Sequence, residues 1–307
     1  MPRLFPIALF LAVAAVSTAA VFPPEPLHGV TQGTDAATVR ALVEPHAASV
    51  RYWAGDDPTL PTSRAAQASL VCRGLELAGG GRLESASFVF SDGRLVLVQA
   101  LGGAVAALRP HAGDQSVELG SFLAFPATMT VLDREADAAW IMAPESLHPH
   151  LFLWTDPHLV AAERREFDSS VRLPAAIPFG AALAEARDVL TAVSRAVDGE
   201  EIAPPWLPTG PERQVQLNVY GLEFGGFPRK AEYVFGDDRL ELVWVLTGEG
   251  EEDRLRASLR EAYGDPVFVS ETFEAFDGWR VALRKDKPEV LFVSARLAPV
   301  FEQQYGD

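Results

Sequence analysis

Residues 88–98, Phe-Val-Phe-Ser-Asp-Gly-Arg-Leu-Val-Leu-Val, return 145 positions later as residues 233–243, Tyr-Val-Phe-Gly-Asp-Asp-Arg-Leu-Glu-Leu-Val, with seven identities in eleven. An internal repeat restricts a chain to folds that one unit can complete and a second can copy, so it outranks any single element as a constraint. Each copy has the pattern of a β-hairpin: a short apolar strand, a tight polar turn and a longer alternating strand.

The repeat extends upstream at an offset of 147, where residues 33–79 match 180–226 without a gap and share fourteen of 47 positions. Among them are Arg40 with Arg187, Pro58 with Pro205, Leu60-Pro61-Thr62 with Leu207-Pro208-Thr209, and Gly74-Leu75-Glu76 with Gly221-Leu222-Glu223. The offset falls to 145 because the loop at Gly79-Gly80-Gly81 is two residues longer than its counterpart, a change that surface loops tolerate.

Helical spacing is clearest at Leu183, Ala186, Leu190, Val193 and Val197. In the first half it falls on Val39, Leu42, Val43, His46, Val50 and Trp53 behind a Thr34-Asp35 cap, with Pro45 kinking the run. His46 reads as a packed histidine. Along 215–224 the apolar parity flips at Gly221, and at Gly74 in the first half, which calls for a bulge or sharp bend. A second helix is expected over 251–263, with a shorter version at 104–111. Strands are expected at 117–125, 128–132, 139–142 and 151–154, and at 267–273, 279–283 and 290–295. Trp140 is matched with Trp279, and Leu151-Phe152 with Leu291-Phe292.

Each half thus reads α-β-β-α-β-β-β, the α+β class: an antiparallel sheet with helices on one face. The expected domains are a signal peptide at 1–20, a Pro-rich lead-in at 21–30, a first module at 31–165 and a second at 175–307. Ile177-Pro178-Phe179-Gly180 before Ala182-Leu183-Ala184-Glu185-Ala186 resembles the helix start of small bacterial envelope modules of the BamE-like kind over about a dozen residues. No function is carried across on that likeness.

The chain of 307 residues carries 26 basic and 42 acidic side chains, a formal charge of −16 that repels nucleic acid and anionic lipid. Arg3 precedes the apolar run 4–16, and Ser17-Thr18-Ala19-Ala20 supplies small residues for cleavage, so an exported, periplasmic or secreted protein is expected with no span once the signal is removed. The rival is an uncleaved anchor over 4–22, which would make the protein a membrane-held structural module. Cys72 is the only cysteine, which excludes an internal disulfide and reads as a small buried hydrophobe.

For chemistry, His148-Pro149-His150 stands out, with Asp156 and His158 close behind. Alternate residues of an extended segment share a side, so His148, His150 and His158 are candidate ligands of zinc or copper and would support an extracytoplasmic metal-dependent enzyme. The competing reading is a polar loop or edge strand. Gly102-Gly103 before a helix has the local order of a phosphate cradle, but the other half is acidic there. Glu76 with Glu223, Asp92 with Asp237 and Arg94 with Arg239 recur in both halves and have structural roles available at bend and turn. Phe268, Phe273, Phe276 and Trp279 could serve an interface or a core. No catalytic motif or cofactor fingerprint appears. The residues favour a non-enzymatic factor that binds a protein or small molecule, or assists envelope assembly.

Overall fold

Type I′ turns fix the centre of each sheet. Asp92 and Gly93 have φ of 50° and 76°, and Asp237 and Asp238 have 47° and 60°, the left-handed pair that joins two-residue hairpins. A computed structural model describes residues 22–55, 66–143, 154–159, 168–248 and 250–306. The chain divides into two compact units, Met1–Arg164 and Arg165–Asp307.

Unit 1 contains helices α1 (Ala36–Val43) and α2 (Ala104–Leu108) and strands β1 (Ser49–Gly55), β2 (Gln67–Glu76), β3 (Arg82–Ser91), β4 (Arg94–Leu101), β5 (Val117–Leu119), β6 (Phe122–Phe125), β7 (Thr130–Asp133) and β8 (Ala138–Met142). They form one antiparallel sheet of order β1-β2-β3-β4-β8-β7-β6-β5.

Unit 2 contains α3 (Leu183–Val193), β9 (Ala196–Glu201), β10 (Gln214–Phe224), β11 (Phe227–Gly236), β12 (Arg239–Leu246), α4 (Glu252–Tyr263), β13 (Phe268–Val269), β14 (Phe273–Phe276), β15 (Val281–Arg284), β16 (Glu289–Val293) and α5 (Ala298–Tyr305). Its sheet is also antiparallel, in the corresponding order β9-β10-β11-β12-β16-β15-β14-β13.

The registers correspond as well. Val50 pairs with Cys72 and Val197 with Val219, an offset of 147 on both strands. The hairpin pairs Phe88 with Val98 and Tyr233 with Val243. Its register shifts between Val89 and Phe90, and between Val234 and Phe235, leaving Val96 and Glu241 as the extra residues of a bulge. Their carbonyls accept the amides of Ala143 (3.0 Å) and Ser294 (2.9 Å), the residues that follow β8 and β16. Beyond the second helix the offset is 151: Val98 opposes Ile141 and Val243 opposes Phe292. The six-residue rise is taken up where α4 is longer than α2.

Several expectations change. The helical pattern through Val50, Trp53 and Val197 breaks earlier, because Pro45 sits in a 3-10 turn that ends α1, and α3 stops at Val193. The residues beyond pair with the open edges of β2 and β10 as β1 and β9. Each half therefore runs α-β-β-β-β-α-β-β-β-β in place of the expected α-β-β-α-β-β-β, with a further helix, α5, closing unit 2. His46 is consequently exposed and not packed in the core. The run 117–125 divides at Gly120, whose φ is 59°, and Thr128 lies in a 3-10 turn. Trp140 in β8 occupies the register position of Leu291, opposite Gln99 as Leu291 is opposite Trp244. Trp279 lies in the turn before β15, so the two tryptophans do not correspond. Leu151 and Phe152 lie outside the described residues, and the position matched to them, Leu291, is filled by Trp140.

Burial follows strand parity. Val39 and Val43 of α1 and Ala104 and Leu108 of α2 share a cluster with Leu70, Phe88, Phe90, Val98 and Ile141. Ala186 and Leu190 of α3 and Leu255 and Leu259 of α4 share one with Leu217, Tyr233, Phe235, Val243 and Phe292. Residues of opposite parity in sheet 2, including Val234, Leu242, Leu291 and Val293, join Leu297, Ala298 and Phe301 in a further cluster. Helical residues of unit 2 therefore enter clusters of both parities, which departs from helices on one face only.

Gly221 has φ +88° and stands at the register shift between Tyr220 and Leu222. A Cβ there would lie 2.6 Å from Cγ of Arg195. Gly74, φ +58°, has the left-handed backbone without a shift. We expect Gly221→Val to lower unfolding free energy by about 1–3 kcal/mol in urea titration; unchanged stability would contradict the assigned bend.

Candidate functional site

The predicted metal cluster comes into view only in part. His148 and His150 lie outside the described residues. The His158 ring stacks flat on Trp53, with centroids 4.6 Å apart and planes 11° from parallel. Its amide donates to Asp156 Oδ1 at 2.9 Å. Among the described residues no group of three or more His, Cys, Asp or Glu could hold a metal ion.

Asp156 is fully buried. Its carboxylate also accepts from the Ser87 hydroxyl, and its amide donates to Gln99 Oε1 at 2.9 Å. Gln99 Nε2 and Trp140 Nε1 both donate to the Trp154 carbonyl, at 3.2 and 3.0 Å. Residues 154–159 are thereby fastened to β3, β4 and β8. Every acceptor position named here is used for docking, and a buried polar group needs such partners.

The other residues singled out by sequence have local structural roles. The Gly103 and Val105 amides donate to the Asp137 carboxylate at 2.5 and 2.9 Å, so the glycine turn already holds an anion of its own. In unit 2 the corresponding turn is held by Glu251, which accepts from the Gly248 amide at 2.6 Å and from Arg229 through two bonds of 2.7 Å. Arg254 also donates to Glu251. Burial pushes the Glu251 carboxyl up, and the two guanidiniums outweigh it and hold the group below the ordinary carboxylate range. Arg94 and Arg239 reach the carbonyls of Gly33 and Gly180, at 3.5 and 3.1 Å. Glu223 accepts from the Asp168 amide at 2.9 Å. Burial, with the charge of Glu44 adding to it, pushes the Cys72 thiol up to about 12, which makes it unreactive at neutral pH. Phe273, Phe276 and Trp279 are buried in the core.

Pairing across four strands assembles a different group on sheet 2. The register positions of Ser85, Ser87, Gln99, Asp133 and Ala138 in unit 1 are taken in unit 2 by Lys230, Glu232, Trp244, Arg284 and Glu289. Lys230 Nζ lies 2.5 Å from Glu232 and 5.9 Å from the Tyr220 ring centroid. The Arg284 guanidinium lies 5.7 Å from the rings of both Trp244 and Phe273. It also bonds Asp286 at 2.7 and 3.0 Å and Glu289 at 3.3 Å.

Burial raises the Glu289 carboxyl above its usual range; Arg284 opposes the shift and Glu232 adds to it. Burial, with Asp198, Glu232 and Glu200 adding to it, raises the Tyr220 hydroxyl as well. The group therefore sets an aromatic plane beside two cations and two carboxylates, one of which is biased toward its neutral form. That combination can donate to, accept from and stack on a polar partner. Nothing local in sequence marked it, because its members come from β11, β12, β15 and β16. The available signal was charged residues within strand 228–234 where the first half has serines.

No family model, curated protein or solved structure matches the chain.

Two measurements probe these assignments. Arg229→Met leaves buried Glu251 with Arg254 as its remaining cation, and we expect a loss of about 3–5 kcal/mol in chemical denaturation; a loss under about 1 kcal/mol would contradict the buried pairing. A carboxyl whose folded pKa is raised costs stability as pH rises from its unfolded to its folded value. Glu289→Gln is accordingly expected to be more stable than the parent at pH 7.5, with the difference shrinking toward pH 4. A pH-independent difference would contradict the assignment.

Proposed function

We propose that this chain is an exported, two-module factor that binds a protein or small-molecule partner and carries out no catalysis of its own. In this reading residues 31–165 and 175–307 are copies of one α+β module, residues 1–20 are a cleaved signal, and the mature protein acts in the periplasm or outside the cell. The matching strand order and registers of the two units support a tandem origin. Among the described residues no helix is long and apolar enough to cross a membrane.

The observation that carries the binding role is the divergence of one face. Where unit 1 has Ser87 and Gln99 tied to Asp156, unit 2 has Glu232 and Trp244 at the same register positions, and Arg284 and Glu289 stand where unit 1 has Asp133 and Ala138. Partly exposed aromatic and arginine side chains are frequent anchors of binding surfaces. The charge of Glu232 adds to the burial that raises Glu289, which suits a partner that brings a hydrogen-bond donor to this face.

The affinity-tagged full chain is expected to retain a stoichiometric partner when isolated from its native envelope or medium, with a mature N-terminus at Ala20 or Val21. The paired change Trp244→Ala and Arg284→Ala should reduce that retention at least about tenfold, as loss of anchor residues does. Undiminished retention would remove this face from the proposal. Stoichiometric zinc or copper that disappears on replacing His148 and His150 would instead favour a metal-dependent enzyme.

A further inference from the structure

The segment before α1 is fastened across unit 1. Phe22, Leu27 and Val30 enter the core cluster. The Pro26 carbonyl accepts the Ala78 amide at 3.2 Å, the Gly33 amide donates to the Leu95 carbonyl at 2.8 Å, the Leu95 amide donates to the Thr34 carbonyl at 2.9 Å, and Gln32 Nε2 donates to the Ile141 carbonyl at 3.2 Å. The expected Pro-rich lead-in is thus part of the folded body.

One contact in this strap differs in kind from the rest. His28, with φ 57°, ends the 3-10 turn Glu25–Leu27, and its Nε2 lies 2.6 Å from the Glu76 carbonyl. A carbonyl only accepts, so Nε2 carries a proton. The face of that ring lies on His46, with centroids 3.6 Å apart and planes 1° from parallel. His46 is exposed, so water reaches its ring.

We propose that the His28–His46 stack is a proton-operated latch on the strap 22–34. With both rings neutral, or one protonated, stacking holds the strap and the bond to Glu76 persists. When both are protonated, two like charges face each other across the stack, and the strap opens more often. Imidazole is the side chain whose charge changes between about pH 5 and 8, and that is the interval in which to test the latch.

The charged residues of the neighbouring elements do not favour one charge state by number alone. Glu25 precedes His28 in the turn, and Glu44, paired with Arg40 at 2.8 Å, precedes His46. Glu76 of β2 lies opposite Arg82 of β3, Arg82 reaches beside Gly74, and Arg73 pairs with Ser49. Three carboxylates and three guanidiniums therefore lie on the elements next to the stack.

Unit 2 supplies a control in the same molecule. Its leading segment places Val171 and Ile177 in the core and accepts the Gly225 and Gly226 amides at Ser170 and Asp168, at 2.8 and 2.9 Å. It has no histidine, and Val193 stands where the repeat places His46.

Hydrogen exchange on the full chain at pH 7.5 and 5.0, corrected for the intrinsic rate, tests the latch. The Gly29, Val30 and Gly33 amides should lose protection by about tenfold or more at pH 5.0, the scale of two like charges at this separation. The Gly225 and Gly226 amides should not. His46→Phe keeps an aromatic ring in the stack without its charge, and His28→Gln keeps an amide donor for Glu76; either should abolish the pH response of the strap. Unchanged protection in the parent, equal loss at Gly225 and Gly226, or a full response in either variant would overturn the proposal.

Discussion

The pairing on which both units depend joins strands far apart in sequence: β4 with β8, and β12 with β16. Each hairpin could form from local residues, but a two-stranded ribbon is marginal in water and needs further strands to bury its faces. The returning strand provides them. It covers the open edge of the hairpin and brings the remaining meander into the same sheet. A bulge one step from the turn aids this closure, since the carbonyls of Val96 and Glu241 receive the first amide beyond β8 and β16. Closing so long a loop costs entropy before any contact forms, and these ladders are where that cost is recovered.

Around that common ladder the two units solve the second face of the sheet differently. Unit 1 docks residues 154–159 through a buried carboxylate, two tryptophans and a glutamine. In unit 2, Leu297, Ala298 and Phe301 pack against part of the face, while Glu241 accepts from the Ser294 hydroxyl at 2.9 Å and from Arg296. The remainder carries the Lys230, Glu232, Trp244, Arg284 and Glu289 group. If the two units share one ancestor, as proposed, the ladder was retained because a one-residue slip exchanges every buried and exposed position. Substitutions on a face that keeps its register have no such penalty.

What could be read from sequence follows the range of the interactions. The hairpins were legible because left-handed turn positions demand Asp and Gly locally, and the bend at Gly221 because parity is a local property. Asp35 was legible as the cap of α1, accepting the Thr38 amide at 2.9 Å. β1 and β9 were not, since Ser49-Val50-Arg51-Tyr52 and Ala196-Val197-Asp198-Gly199 have the mixed polarity of edge strands and become strands only against β2 and β10. Trp140 and Trp279 share a side chain and not a register position, and register decides correspondence. The polar group on sheet 2 was invisible for the same reason, and His158 could not be told from a ligand until its ring was seen to lie on Trp53.

Cross-strand NOEs at the long-range ladder of each unit test the central claim most directly, in the full chain under native conditions. The account predicts contacts between the backbones of Val98 and Ile141 and of Val243 and Phe292, with neighbouring pairs stepping at the same offset in both units. A ladder in either unit displaced by one residue, or either returning strand paired elsewhere, would contradict it.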